Sequence, residues 1–261
     1  MAQAVGVAPR RAAAGRRSDV AIVRVVTIVV LLVVWEAVAR SGLLYQDVVP
    51  TVGAIIGGIW GIVSDPRFYA NLQVTLFEIV ASVTLGTALG VICGIAIGGS
   101  EFLGRVFEPL VHYLAPTPKI IFFPLLIMWF GIGEGSKIGM GTISSFFPIV
   151  LSVASGMRQI DPVLIRVGKS FRANPLQMAV KIYLPAMRDP MINGIRLAFG
   201  VSVIGVLLAE TKFARDGLGF MITRFYQQFD MPAMYGLVII IFAFAIAVNS
   251  ALGRLSRSPV T

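Results

Sequence analysis

Three stretches of this sequence, 79–99, 138–157 and 231–253, contain no Asp, Glu, Lys or Arg. Each matches the roughly 20 mostly apolar residues that a helix needs to cross a bilayer. Three further apolar runs complete a frame of six: 20–39, with Arg24 and Glu36 near its ends; 109–133, broken by Pro116-Thr117-Pro118-Lys119; and 190–209, interrupted by Arg196. The second run as a whole is 72–99. The fold these runs predict is an all-α integral membrane protein. Composition agrees, with 57% hydrophobic and 13% charged residues, where soluble domains carry about 25% charged residues. That balance leaves too little polar surface for disorder or for a soluble nucleic-acid module.

The domain organisation follows. A basic tail, 1–19, precedes a single transmembrane unit, 20–255, and a short C-terminal tail, 256–261. The first run has the basic lead and Ala37-Val38-Ala39 pattern of a cleaved signal, but its length and the five runs behind it favour an uncleaved helix. The break in the third run leaves two readings, one span over 109–133 or a span from Ile120 with a separate short helix before Pro116. The net charge is +9, and basic residues collect on the cytoplasmic side of membrane proteins. With both termini in the cytoplasm, fourteen of the 22 Lys and Arg fall inside and six outside, while Arg24 and Arg196 lie within spans.

Ser82, Gly86, Gly90, Gly94 and Gly98 recur every four residues. They form a one-sided stripe of small residues that lets another helix approach closely; the alternative is the wall of a narrow passage. Residues 52–63, with Gly53, Gly57 and Gly61 at the same spacing, are too short to span. They read as a helix at the interface or against the bundle. Cys93, the one cysteine, reads as a packing residue, and His112, the one histidine, as a structural or interfacial one.

Residues 158–188, between spans four and five, are basic and carry two helix starts, Asp161-Pro162 and Asn174-Pro175, with the capping residue followed by proline at the first helical position. Two helices are expected, 162–172 and 175–184, the second stopped by Pro185. Val163, Leu164, Val167 and Phe171 form an apolar stripe, with Arg166, Lys169 and Arg172 off it. A connection this long with its own helices usually has a function. Docking a partner and covering the helix ends against anionic lipid are both open. Gly168-Lys169-Ser170 resembles the end of a phosphate-binding loop, but Val163 stands where the first glycine is required. Neither a nucleotide site nor a catalytic or metal-ligating constellation is visible. The intramembrane charges Glu36, Glu78, Arg196 and Glu210 are functional candidates by default. Glu36 and Glu210 lie near span ends, where water is within reach, and a Glu78–Arg196 pair is conceivable.

The stretch Ile182-Tyr183-Leu184-Pro185 brings a family into view. The chain resembles the permease subunits of bacterial binding-protein-dependent ABC importers of the nitrate/sulfonate/taurine type. Their cytoplasmic signature runs Glu-Ala-Ala, three residues, Gly, nine residues, Ile, one residue, Leu-Pro. Ile182, Leu184 and Pro185 fit it. Arg166-Val167-Gly168 stand where Glu-Ala-Ala is expected, and Arg172 stands where the Gly is. Pro124-Leu125 with Trp129-Phe130-Gly131-Ile132-Gly133, and Leu208-Ala209-Glu210 with Gly217-Leu218-Gly219-Phe220-Met221-Ile222, match other segments of the group.

The resemblance spans about 30–255. It implies a type I importer permease in a bacterial inner membrane, with 158–188 as the coupling segment. Leu164, Arg166, Val167, Gly168, Phe171, Arg172, Ile182, Leu184 and Pro185 would meet the ATPase, and Glu78, Arg196 and Glu210 would be candidates for pathway or gating roles. The implied partners are two cytoplasmic ATPase subunits, an external substrate-binding protein, a second permease copy in a homodimer, and the lipid bilayer, with no nucleic acid. No cofactor is expected on this chain; ATP and Mg would act on the ATPase subunit. The substrate class implied is a small anion such as a sulfonate, taurine or nitrate. A self-sufficient secondary transporter or channel is the alternative from the residues alone.

Overall fold

A computed structural model describes residues 12–42 and 48–255. The tail calls at 1–11 and 256–261, with Arg10, Arg11 and Arg257, lie outside the described residues. Among the described residues the fold is helical throughout, without strands. Among the described residues five helices are long and apolar enough to cross a membrane, and a bent pair passes the same test when its two arms are taken together.

The centre is a packed trio: α3 (Pro66–Gly99), α6 (Glu134–Arg158) and α10 (Arg188–Phe213). The small-residue stripe of α3 lies directly on α6. A Cβ on Gly90 would come within 2.8 Å of Ile149, one on Gly94 within 2.7 Å of Val153, and one on Gly98 within 2.6 Å of Met157. A Cβ on Gly86 would strike the Ser145 side chain. Ser82 Oγ donates to Ile138 O at 3.0 Å, and Ser145 Oγ returns to Ser82 O at 3.2 Å. Lipid offers no hydrophobic drive between helices, so this contact holds by dispersion and interhelical hydrogen bonds that only small residues permit. On its other face α6 meets α10 by the same device, with Gly194 against Ser152 and Gly205 against Ser144.

α3 starts earlier than the apolar run. Asp65 caps it, accepting from Arg67 N at 2.9 Å, and Pro66 takes the first helical position. The third span is not one rod across 109–133. α4 (Glu101–Leu114) ends before Pro116, and a 3₁₀ turn (Lys119–Phe122) leads into α5 (Phe123–Phe130). The two arms meet at 94°. Ala115, just before Pro116, is still helical at φ −58° and ψ −43°, and the helix breaks over the Pro116-Thr117-Pro118 step as the sequence suggested, two of whose residues have no N–H to continue it. Lys119 Nζ donates to the freed carbonyls of Ala115 and Thr117.

α2 (Val52–Ser64) packs on α12 (Met231–Leu255). Gly53, Gly57 and Gly61 make no close contact; Gly58 does, its missing Cβ falling 2.6 Å from Pro232 O. α1 (Ala12–Arg40) is held at one end only. Trp35 Nε1 donates to Pro50 O at 3.0 Å, Glu36 accepts from Val52 N at 2.9 Å, and the Trp35 and Tyr235 rings meet edge to face. From Ile22 to Val34 every residue of α1 is exposed, as a lipid-facing helix requires.

Candidate functional site

Two ends of the bundle concentrate the chemistry. The first is the connection between α6 and α10. Asp161 Oδ1 accepts from Val163 N at 2.8 Å and starts α7 (Pro162–Ser170). α7 is shorter than expected because the chain reverses at Arg172, whose φ is +53°. Arg172 N donates to Lys169 O and Ala173 N to Gly168 O. This is a Schellman closure with Arg172 at the left-handed position, where glycine is the usual residue. The departure noted at Arg172 therefore falls on a backbone requirement.

Asn174 then forms a capping box with Gln177, at 2.7 and 3.0 Å, and opens α8 (Pro175–Met178). The second helix does not stop at Pro185. A π turn (Ala179–Tyr183) carries the chain into α9 (Leu184–Ala186), with Leu184 N bonded to Ala179 O. Widening the turn accommodates a proline that cannot donate to the preceding turn and whose ring would press on it.

The segment divides its residues cleanly. Gly168 is buried where the two arms cross, its α-carbon against Met178 and Ile182. Tyr183 and Leu184 pack into the cluster of Ile149, Val153 and Met187. Leu164, Arg166, Val167, Arg172 and Pro185 face outward, and Phe171 is 84% exposed. Arg158, where α6 hands over to this segment, donates Nη1 to Glu108 Oε1 at 2.9 Å, with a second bond to Glu108 Oε2. Thus α4 is tied to the root of the connection, and His112 Nε2 lies 3.7 Å from the same carboxylate. Gly168-Lys169-Ser170 sits on α7 and cradles nothing.

The second end is a buried charge cluster that the sequence did not reveal. Glu78 does not meet Arg196. It pairs with Lys137 at 2.9 Å; Glu78 is wholly buried and Lys137 5% exposed. Lys137 precedes the charge-free run 138–157 and counts among the six outer basic residues by sequence, but α6 begins at Glu134 and draws it one turn inside. Glu210 is not within reach of water either; it is 1% exposed. Its Oε1 accepts from Thr75 Oγ at 2.6 Å and its Oε2 from Gly219 N at 2.6 Å. Thr75 Oγ accepts from Leu218 N at 2.8 Å, and Asn71 accepts from Gly217 N at 2.7 Å. The bend at Gly217 (φ +106°) and the start of α11 (Leu218–Gln227) are thereby fixed to α3 and α10. Gly219 is required here: its Cβ would lie 2.6 Å from Glu210 Cβ and Leu207 O. The glycine pair around Leu218 was the available signal for this turn.

Arg196 lies apart from both. Its Nε donates to Asn249 Oδ1 of α12 at 3.4 Å, and its guanidinium covers Gly253.

The class that fold and segment define is an importer permease, a helical bundle with a structured connection on one end. Among solved structures, the permease fold of an inward-facing MetNI methionine ABC transporter matches with a TM-score of 0.62 at 19% identity, covering 79% of this chain and 96% of that one. Residues 86–258 match the family described as binding-protein-dependent transport system inner membrane component, and the chain belongs to that family. Relatives include SsuC of Bacillus subtilis, named for aliphatic sulfonates transport, 29% identical over 82% of this chain and 77% of its own. The taurine transport system permease protein TauC of Escherichia coli is 29% identical over 75% and 73%. The protein is thus a multi-pass inner-membrane permease subunit of an ABC importer, of a family that works with ATPase and substrate-binding subunits.

Proposed function

We propose that this chain forms the membrane pathway for a small anion and that residues 158–188 dock the cytoplasmic ATPase. The substrate class is that of the relatives named for sulfonates and taurine, with nitrate in the same group by resemblance. Two copies of this chain pair with two ATPase subunits, and an external binding protein delivers the substrate. ATP and Mg act on the ATPase, and this chain carries no cofactor and no catalytic residue. Both termini face the cytoplasm, on the side where the basic residues accumulate.

One observation carries the docking reading. Leu164, Val167 and Phe171 stand exposed on a helix that is capped at both ends and anchored from behind by Gly168, Ile182 and Leu184. An apolar face held this firmly, with none of the other described residues over it, serves a partner. Leu164→Asp and Phe171→Asp should leave insertion and yield unchanged and lower substrate-stimulated ATP hydrolysis by about tenfold or more, as loss of buried anchor residues does at interfaces. Stimulated hydrolysis at the unsubstituted rate in both variants would refute the docking role.

A further inference from the structure

One face of α10 is uncovered by the other described residues. Asn193, Leu197, Gly200 and Ile204 lie along it, all exposed, and nothing approaches within 4 Å of a Cβ built on Gly200. Three cavities follow this face and share residues where they adjoin. The first, about 540 Å³, holds Gln159, Asp189 and Asn193. The next, about 440 Å³, holds Asn193, Arg196, Gly200 and Asn249. The third, about 270 Å³, shares Val201 and Ile204 with the second and reaches Ser144 and Lys119. The series is a continuous trough along the helix, with Asp189 at its end beside residues 158–188 and two cations, Arg196 and Lys119, further in.

The cations differ in how they are held. Lys119 is spent on the carbonyls of Ala115 and Thr117. Arg196 makes a long bond to Asn249 Oδ1 and lies over Gly253, and among the described residues no carboxylate pairs with it. It stands about two turns into a membrane-crossing helix. A charge so placed faces a water-filled passage or a ligand, because lipid tails do not solvate it. A guanidinium also presents a planar set of donors that fits an oxyanion.

We propose that Arg196, with Asn193 and Asn249 beside it, is an oxyanion-binding station in the trough along α10. It rests on the small-anion reading above and assigns that anion a contact. The chemistry it takes is a sulfonate, nitrate or phosphate oxygen face. A lipid headgroup offers the same chemistry from a different source.

The test uses the complete importer, with ATPase and binding protein, in proteoliposomes, and follows uptake of labelled taurine, methanesulfonate and nitrate per assembled complex. Asn249→Asp is the decisive variant. It places a carboxylate against the guanidinium at nearly unchanged shape, which strengthens a structural contact and occupies an anion site. Uptake should fall about tenfold or more in Asn249→Asp and in Arg196→Gln, the size of one lost charge-assisted contact. The melting temperature of Asn249→Asp should be unchanged or raised, and Arg196→Lys should keep most of the uptake. Unchanged uptake in Asn249→Asp, or a fall in uptake and melting temperature together, overturns the station. Loss of co-purifying phospholipid from Arg196→Gln at unchanged uptake assigns the site to a headgroup and also overturns it. Import of none of the three anions by the unsubstituted complex defeats the small-anion reading itself and the station with it. Import without an effect of the variants defeats the station alone.

Discussion

The two ends of the trio α3, α6 and α10 use opposite logic. At one end polar groups are turned inward and paired with each other: Lys137 with Glu78 Oε1, and Glu210 with Thr75 and Gly219. At the other, apolar groups are turned outward and uncovered: Leu164, Val167 and Phe171. Buried charge in contact with several elements fixes them in one arrangement, because any shift leaves an ion without its partner. Exposed apolar surface carries no such penalty until something covers it. One end is therefore built to hold its geometry, and the other leaves apolar surface open, which is what the proposed docking uses.

Breaking the closed end should have the largest effect. Lys137→Met leaves Glu78 buried and unpaired, which costs about 3–5 kcal/mol in comparable buried pairs. Thermal denaturation in detergent should show a lower midpoint and a poor yield, and Glu78→Gln added to Lys137→Met should recover part of both. Recovery from neither would mean that the pair is not what holds this end. Between the ends, Gly90→Leu pushes α3 off Ile149. Overpacking of this kind costs about 1–3 kcal/mol, and the loss should appear in the same melting measurement. Gly53→Leu, which meets nothing, should be silent. The smallest effect sharpens the open end. Arg172→Gly relieves a left-handed residue and should slow amide exchange in α7, by about 1 kcal/mol of local stability. Faster exchange there would show that Arg172 makes a contact outweighing its backbone strain.

The apolar runs were legible because a mostly apolar stretch of about 20 residues shows in residue order alone; five became single helices and the third became the bent pair. The stripe from Ser82 to Gly98 was legible because helical spacing puts it on one face, although spacing alone did not choose between packing and a passage wall. The break at Pro116-Thr117-Pro118 was legible from backbone chemistry, while its 94° angle depends on how α4 lies against α6. What sequence reading missed are pairings across distance. Lys137 lay just past the end of an apolar run, and hydropathy cannot tell a solvated lysine from one drawn inside to a carboxylate 59 positions away. Glu210 was misread for the same reason: a span end is wet only if no neighbour covers it, and α11 does. That helix carries Thr223, Arg224 and Gln227, so it shows no apolar run. Pro185 was read as a stop because a standard helix would stop there; the π turn is a local solution that the sequence does not announce.

The first helix is held through Trp35 and Glu36. Between Ile22 and Val34 its side chains are exposed and, Arg24 and Thr27 apart, aliphatic, and lipid does not distinguish valine from leucine or isoleucine by shape. The aliphatic positions are consequently constrained by apolarity, while Trp35 and Glu36 are pinned by their individual contacts. A library randomised among aliphatic residues at those positions would be nearly neutral, whereas the same treatment of 145–157 would destroy the bundle. Two membrane-crossing helices thus carry very different amounts of sequence information, the more apolar α1 the less.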